Sequence, residues 1–333
     1  MSALVVNHRR EDLLEACLAS LRSALSRSGG RGELVVVDNG SGDGSCELVR
    51  RRFPEAKLIE LRENRGFAAG VRVGMGHARG DWILLLNNDA TIEPDAIAHL
   101  LAAAGSGDDV GSVAAQIRFA HEPPVINSAG LEIDRLGVAY DRLVGEPPGV
   151  SDRQPVEVFG ASAGGALYRR SMLDEIGGFD DSFFVFMEDA DVAWRARMRG
   201  WLCFYAPSAV IHHHYSATAG HGSSFKYFHV GRGRVRLLAK NAEGAHLVRW
   251  AAPMLAYDAA YVGFVALSDR TLAPLRGRLA GLREWRAYRR AAAPRAHVEL
   301  VPVRGVRAAL ERWATFTGRR PERGSIRHGW RSR

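Results

Sequence analysis

The sequence predicts an α/β fold built on a doubly wound, mostly parallel sheet, with a basic helical extension at its C-terminal end. Three observations carry this. Short β-branched runs alternate with helical patterns through roughly the first hundred residues, the rhythm of strand–helix–strand units. Leu84-Leu85-Leu86 is continuously apolar, as a strand covered on both faces must be. Arginine crowds the end of the chain: Ser268–Arg333 holds 17 Arg against 5 acids, a net +12 that leaves −4 for residues 1–267.

In chain order, Ala3–Val6, Glu33–Val37, Lys57–Leu61 and Trp82–Leu86 read as strands. Helical patterns fall near Glu11–Leu25, Ser45–Arg52, Ala68–Ala78 and Pro94–Ala104. Residues 105–165 are richer in Gly and Pro and read as a β-containing insertion. Gly164–Tyr205 returns to a strand–helix–strand rhythm, and from about Phe225 the pattern is helical and Arg-rich. The expected division is a catalytic domain over 1–240 and a helical, Arg-rich extension over 241–333.

Composition excludes several classes. With 47% hydrophobic and 25% charged residues, neither wholesale disorder nor a collagen-like fibre fits. Cys17, Cys46 and Cys203 form no C-x-x-C pair, which argues against a disulfide framework or a cysteine zinc site and fits a reducing compartment. No charged and apolar leader precedes the first strand, so no secretory signal is expected. The longest apolar run, Leu247–Leu267, contains Arg249, Pro253 and Asp258. A central Asp costs about 2.5–3.5 kcal/mol on insertion, so this run is expected to be amphipathic or buried rather than spanning.

Doubly wound sheets bind ligands beyond the carboxyl ends of their strands. There the sequence offers Asn7-His8-Arg9, Asp38-Asn39-Gly40-Ser41, Asn64-Arg65-Gly66-Phe67 and Asn87-Asn88-Asp89. None makes the glycine turn that a dinucleotide pyrophosphate requires, which argues against a dehydrogenase. Asp38 is placed to accept hydrogen bonds from a ribose hydroxyl or a base N–H. Asp43 and Ser45 suit a turn and a helix cap instead. Asp89 is a candidate ligand for a divalent cation that clamps a diphosphate, since Thr91 is better placed to cap the next helix.

Two further stretches carry chemistry. Along Ile211-His212-His213-His214-Tyr215-Ser216 side chains alternate in direction, so at most two of the histidines share a face, and one of the three is the candidate metal or phosphate contact. On the helix opened by Glu188-Asp189-Ala190-Asp191, Asp189 heads the apolar face with Val192 and Ala193. Glu188, Asp191 and Arg195 share another, which reads as a structural salt-bridge face. A partly desolvated Asp189 is the candidate general base, the plainer alternative being a helix cap.

As a set, these segments resemble the family 2 inverting glycosyltransferases of GT-A fold, and most closely their bacterial rhamnosyltransferase-like branch. The matching text is Leu4–Asn7, Val36-Val37-Asp38-Asn39-Gly40-Ser41, Glu63–Gly70 and Leu84–Ala90. It continues with Gly177-Gly178-Phe179-Asp180, Glu188-Asp189-Ala190-Asp191 with Trp194-Arg195, and His212 shortly before Ser216. The resemblance covers roughly residues 3–240 and implies a nucleotide-sugar donor. Asn7, Asp38, Asn64, Gly66, Asn88 and Asp89 would then bind that donor. Asp89 would hold Mg2+ or Mn2+ on its diphosphate, with His212 as the second protein ligand and His213 or His214 as alternatives. Asp189 would deprotonate the acceptor hydroxyl, while Gly164, Gly165, Phe179, Asp180, Glu188 and Arg195 would shape the sugar and acceptor pocket. The family's metal motif often has two acids; here Asn87 and Asn88 leave Asp89 alone.

The resemblance also implies a glycan or polyprenyl-linked acceptor and, in its closest branch, dTDP-rhamnose as donor. Leu275, Leu279, Leu282 and Trp285 form a stripe among Arg276, Arg278, Arg283, Arg286, Arg289 and Arg290, the pattern of a basic helix at an anionic membrane surface. A cytoplasmic protein, peripheral at the inner face of the membrane, is therefore expected. Two rival readings are weaker. A sugar-nucleotide pyrophosphorylase would need a Gly-rich basic loop where Asn7-His8-Arg9-Arg10 stands. A nucleic-acid partner is not expected, since no RRM, KH or zinc-finger pattern accompanies the Arg tail.

Overall fold

The computed structural model describes residues 1–29, 32–120, 124–150, 152–214, 222–291 and 297–303. Ser216 of the histidine motif and the Arg-rich residues 304–333 lie outside them. The alternating segments form β1 (Ser2–Asn7), α1 (Glu11–Arg27), β2 (Glu33–Asn39), α2 (Ser45–Arg52), β3 (Lys57–Leu61), α3 (Phe67–His77) and β4 (Trp82–Leu86). A short β5 (Ala90–Ile92) and α4 (Ala96–Ala104) lead to the long β6 (Val110–Phe119). Thr91 is therefore a strand residue and caps nothing.

The Gly/Pro-rich stretch holds β7 (Ile126–Ser128), an antiparallel pair β8 (Leu131–Ile133) and β9 (Ala139–Asp141), and β10 (Val156–Val158). Then come β11 (Gly165–Arg169), α5 (Arg170–Ile176), α6 (Glu188–Met198) and β12 (Leu202–His213). The main sheet runs β10-β12-β6-β11-β4-β1-β2-β3. β1 pairs in parallel with β2 and β4, and β2 with β3, while β11 enters antiparallel between β4 and β6. Because β1, β2 and β4 point the same way, Asn7, Asp38 and Asn87 arrive at one edge of the sheet.

Strand alternation splits the core into two layers. Ala3 and Val5 face Leu14, Leu18 and Leu21 of α1, whereas Leu4 and Val6 face Val71 of α3 and Met172 of α5. Helix α3 packs closely because it is glycine-rich: a Cβ at Gly70 would lie 2.5 Å from Val6, and one at Gly74 would meet Leu4.

A third core joins the C-terminal helices to the sheet part. In it Leu237 and Leu238 of α7 (Ser224–Asn241), Met254 of α8 (Gly244–Ser268) and Leu300 gather around Ile133, Phe183 and Trp194. The sheet part and the helices beyond residue 240 thus share buried side chains. Helix α9 (Ala273–Ala291) lies against α7 at backbone distance through Gly231, Gly277 and Gly281. Leu275, Leu279 and Leu282 are left on the outside, but Trp285, expected in the same stripe, is half-buried and packs against the third core. Two of its arginines are not around it: Arg278 turns inward to Asp258 at 2.8 Å, and Arg289 to the carbonyl of Ala239. Arg290 has no described side chain.

Candidate active site

The donor side is assembled at the ends of β1, β2 and β4. Asn7 Nδ2 donates to Asp38 Oδ1 at 3.0 Å and to Ser41 Oγ at 3.1 Å, and Asn88 Nδ2 donates to Asn7 Oδ1 at 2.7 Å. Asp38 also accepts from the Ser41 backbone N–H at 3.0 Å and from its hydroxyl. All four residues are buried, so the carboxylate ties two strand ends together as well as standing at the ligand edge. The Asn64–Gly66 turn is held by Asn39, to which the sequence reading gave no separate role. Asn39 Nδ2 donates to Asn64 Oδ1 at 3.1 Å and to the Gly66 carbonyl at 2.9 Å, and its Oδ1 accepts the Arg65 N–H at 2.9 Å. The signal was available: next to Asp38 on one strand, Asn39 must point to the opposite face.

The histidine that meets Asp89 is His213, not His212. His213 Nε2 lies 3.0 Å from Asp89 Oδ1, while His212 Nε2 lies 3.2 Å from Glu93 Oε1. The cause is strand phase. β12 runs against β5 with His213 opposite Ala90 and His212 opposite Thr91, and neighbouring side chains leave by opposite faces. His214 meets Asp89 through its backbone N–H, which donates to the Asp89 carbonyl at 2.9 Å. His213 Nδ1 sits 2.9 Å from Asn127 Oδ1, and Asn87 Nδ2 lies 3.3 Å from Nε2. Both contacts are satisfied by a ring protonated at Nδ1, whose Nε2 lone pair then faces a carboxylate oxygen. Two acceptors at that separation call for a cation or a proton between them, and this donor set fits a divalent ion. Among the described residues no group of three or more His, Cys, Asp and Glu forms a complete cage. The remaining ligands would have to come from phosphate oxygens and water, as Mg2+ sites commonly arrange.

Facing this edge is the start of α6. Asp189 is half-buried; its Oδ2 accepts the Ala163 N–H at 3.3 Å and its Oδ1 the Ala190 N–H at 2.8 Å. Desolvation raises its pKa against the pull of these N–H groups. Glu188 is more deeply enclosed, at 6% exposure, and its Oε2 has no hydrogen-bond partner among the described residues. Burial, then the adjacent Asp189 charge, push Glu188 up to about 8. Both effects favour its neutral form, and it does not join the expected salt-bridge face. That face is Asp191 alone with Arg195, at 2.6 Å, reinforced by Lys240 at 2.9 Å. One connection joins the two halves of the site. Ala163 donates to Asp189, and the next residue, Gly164, accepts the Asn87 N–H at 3.1 Å.

The sequence profile described as "Glycosyl transferase family 2" matches residues 2–177. The chain belongs to glycosyl transferase family 2. It is similar to the N-acetylglucosaminyl-diphospho-decaprenol L-rhamnosyltransferase of Mycobacterium tuberculosis, with 31% identity over 234 residues, 62% of this chain and 73% of that one. Two solved structures share the fold. One is GalNAc-T7 with UDP, GalNAc and Mn2+, with TM-score 0.61 and 15% identity over 88% of this chain and 54% of that one. The other is the mannosyltransferase PcManGT from Pyrobaculum calidifontis in complex with GDP-Man and Mn2+, with TM-score 0.51 and 19% identity over 87% and 86%. The expected GT-A architecture is the architecture observed.

In this family 2 glycosyltransferase several residues expected to line the pocket also make contacts within the fold. Phe179 is fully buried, edge-on to Tyr168 at 5.6 Å. Gly165 lies within β11, where a Cβ would stand 2.5 Å from Ile211 in the core. Asp180 accepts from Lys240 Nζ at 2.7 Å and from the Ser182 N–H at 3.0 Å. Burial raises its pKa, but Lys240 and Ser182 outweigh this and leave it at about 2. Arg195, besides pairing with Asp191, donates to the carbonyls of Ile176 at 2.6 Å and Gly178 at 2.8 Å. Arg195 and, through the Lys240 that it shares with Asp191, Asp180 thus anchor α6 to its neighbours.

The sequence reading also missed the segment that presents α6. Phe184, Phe186 and Met187 have φ of 62°, 66° and 73°, a left-handed run without glycine directly before Glu188. Gly66, at φ 88°, is pressed against it: a Cβ there would lie 2.6 Å from the Phe184 ring. The Asn64–Gly66 turn and the approach to Asp189 are thus in contact.

Proposed function

We propose that this enzyme transfers rhamnose from dTDP-rhamnose, with inversion, to a sugar carried on a polyprenyl diphosphate at the cytoplasmic face of the membrane. The observation that carries the reading is the Ala163-Gly164 link, which ties the half-buried Asp189 carboxylate to Asn87, two residues before Asp89. Asp89 and His213 would hold a divalent cation, which would supply positive charge to the diphosphate leaving group. Asp189 takes the proton of the acceptor hydroxyl as its oxygen bonds to the anomeric carbon, while the bond from that carbon to the diphosphate breaks. Neutral Glu188 can donate a hydrogen bond to a sugar oxygen without adding a second charge beside Asp189. Asn39 and Asn64 hold the turn against which the nucleoside would rest. The choice of rhamnose and of a lipid-linked acceptor follows the name of the M. tuberculosis relative.

The test is transfer of labelled rhamnose from dTDP-rhamnose to N-acetylglucosaminyl-diphospho-polyprenol, with Mn2+ or with EDTA, and NMR assignment of the new linkage. Rhamnose transfer that EDTA abolishes supports the reading. Transfer only from another nucleotide sugar would replace the donor, and a retained anomeric configuration would remove Asp189 from its role.

A further inference from the structure

We infer that the outer face of α8 is a docking surface for an anionic lipid bilayer, on which the enzyme lies without crossing it. The sequence reading left this helix amphipathic or buried. The structure settles which. Met254 and Val265 are buried on its inner side, and Asp258 is clamped there by Arg234 at 2.6 Å and Arg278 at 2.8 Å. The outer side carries Val248, Ala252, Leu255, Ala259, Gly263 and Leu267, spaced at the helical repeat and all exposed. Val248, Leu255 and Leu267 stand 82%, 70% and 85% exposed. Only 11% of the most apolar stretch of the helix is buried, and its mean hydropathy is 1.3. A stripe of this length without a charge is not a solvated surface.

Charge placement identifies the occupant. Between Gly244 and Ala291 the acids are Asp258, Asp269 and Glu284. All three turn inward: Asp258 to its two arginines, Asp269 to the Tyr227 hydroxyl at 2.8 Å, and Glu284 to Arg232 and to Arg236 at 2.7 Å. Arg249, Arg270, Arg276, Arg283 and Arg286 remain exposed. An apolar helix face with one exposed arginine of its own, followed in the chain by four more and with the acids withdrawn, matches the interface of an anionic leaflet. A second copy related by a two-fold axis would set these arginines against their own kind, which like-charge repulsion disfavours. The clamp on Asp258 holds α8 flat on the domain, so a helix long enough to span is kept at the surface. Leu275, Leu279 and Leu282 of α9 supply further exposed apolar groups next along the chain.

The experiment is flotation of the full chain with vesicles of phosphatidylcholine alone or mixed with phosphatidylglycerol. No donor or acceptor is added, so its result is independent of the transfer reaction. Wild type is expected to float with the anionic vesicles and to be released as salt rises from about 0.1 to about 1 M. Leu255→Glu with Leu267→Glu should lower partitioning at least about tenfold, with melting temperature and nucleotide binding unchanged. Should that pair fail to fold, Val248→Asp probes the other end of the stripe. Equal flotation of the folded variants, or no flotation of wild type, overturns the inference. So does a wild-type dimer that the variants convert to monomer, because a second copy would then cover the face.

Discussion

Asp89 Oδ1 and His213 Nε2 face each other at 3.0 Å, and Asn127 fixes the imidazole from behind at 2.9 Å. The pairing joins the end of the most apolar strand to the end of the longest one. Of the three histidines, His213 is the one whose ring meets Asp89.

Asp89→Ala and His213→Ala are each expected to weaken nucleoside diphosphate binding in Mn2+ by about tenfold or more, near 1.4 kcal/mol. Binding in EDTA should change little. His212→Ala should behave as wild type, because its ring meets Glu93. Calorimetry with and without Mn2+ reads all three, and an equal loss in His212→Ala would return the role to that residue.

Which of these features the sequence disclosed follows from physical scale. Lys57–Leu61, Trp82–Leu86 and Ser45–Arg52 form as read, because strand and helix periods are local signals. The phase of β12 was not legible. Three identical residues carry no marker of face, and the β5 pairing that sets it comes from far away in the chain. For the same reason Glu188 was grouped with Asp191 and Arg195, since a helical wheel places residues on faces without saying what each face meets. The exposure of α8 was hidden too, because composition alone does not separate a buried apolar helix from one that lies open.

Asp38 illustrates how a ligand-edge residue can also hold the fold. Asp38→Ala removes the acceptor of the Ser41 N–H and one of the two acceptors of the Asn7 amide, and a buried donor left unpaired costs about 1–3 kcal/mol. The variant should therefore melt measurably lower. Asp38→Asn keeps an acceptor oxygen and is the variant in which to measure donor affinity. A tenfold affinity loss at near-native melting temperature would support contact with the nucleoside.

Glu188 predicts a pH-dependent stability. Its pKa rises from an ordinary 4.5 to about 8 on folding, so the folded chain holds a proton that the unfolded chain releases between those values. Stability from this site is full below about 4.5 and declines as pH rises toward 8. Glu188→Gln cannot ionise, so its melting temperature should exceed wild type by a few degrees at pH 8 and match it near pH 5. Parallel melting curves for the two proteins across that range would show that Glu188 is charged in the folded state.

The sharpest expectation concerns Asp189. A base that acts only as the new bond forms stabilises the transition state and contributes little to donor binding. Asp189→Asn offers one acceptor oxygen where the carboxylate offers one to Ala163 and one to Ala190, so it keeps one of the two hydrogen bonds and the melting temperature should fall only slightly. Turnover should nevertheless fall by at least about 10²-fold, the lower end of general-base effects. Because desolvation raises the Asp189 pKa, wild-type kcat should climb with pH through a value above the usual carboxylate range and then level off. That rising limb should vanish from the residual activity of Asp189→Asn. Glu188→Gln, which keeps the neutral form that burial favours, should keep the limb and lose less turnover. If Glu188→Gln abolished transfer at saturating donor while Asp189→Asn remained near normal, the proton would be leaving through Glu188, and the assignment of the base would move one residue back.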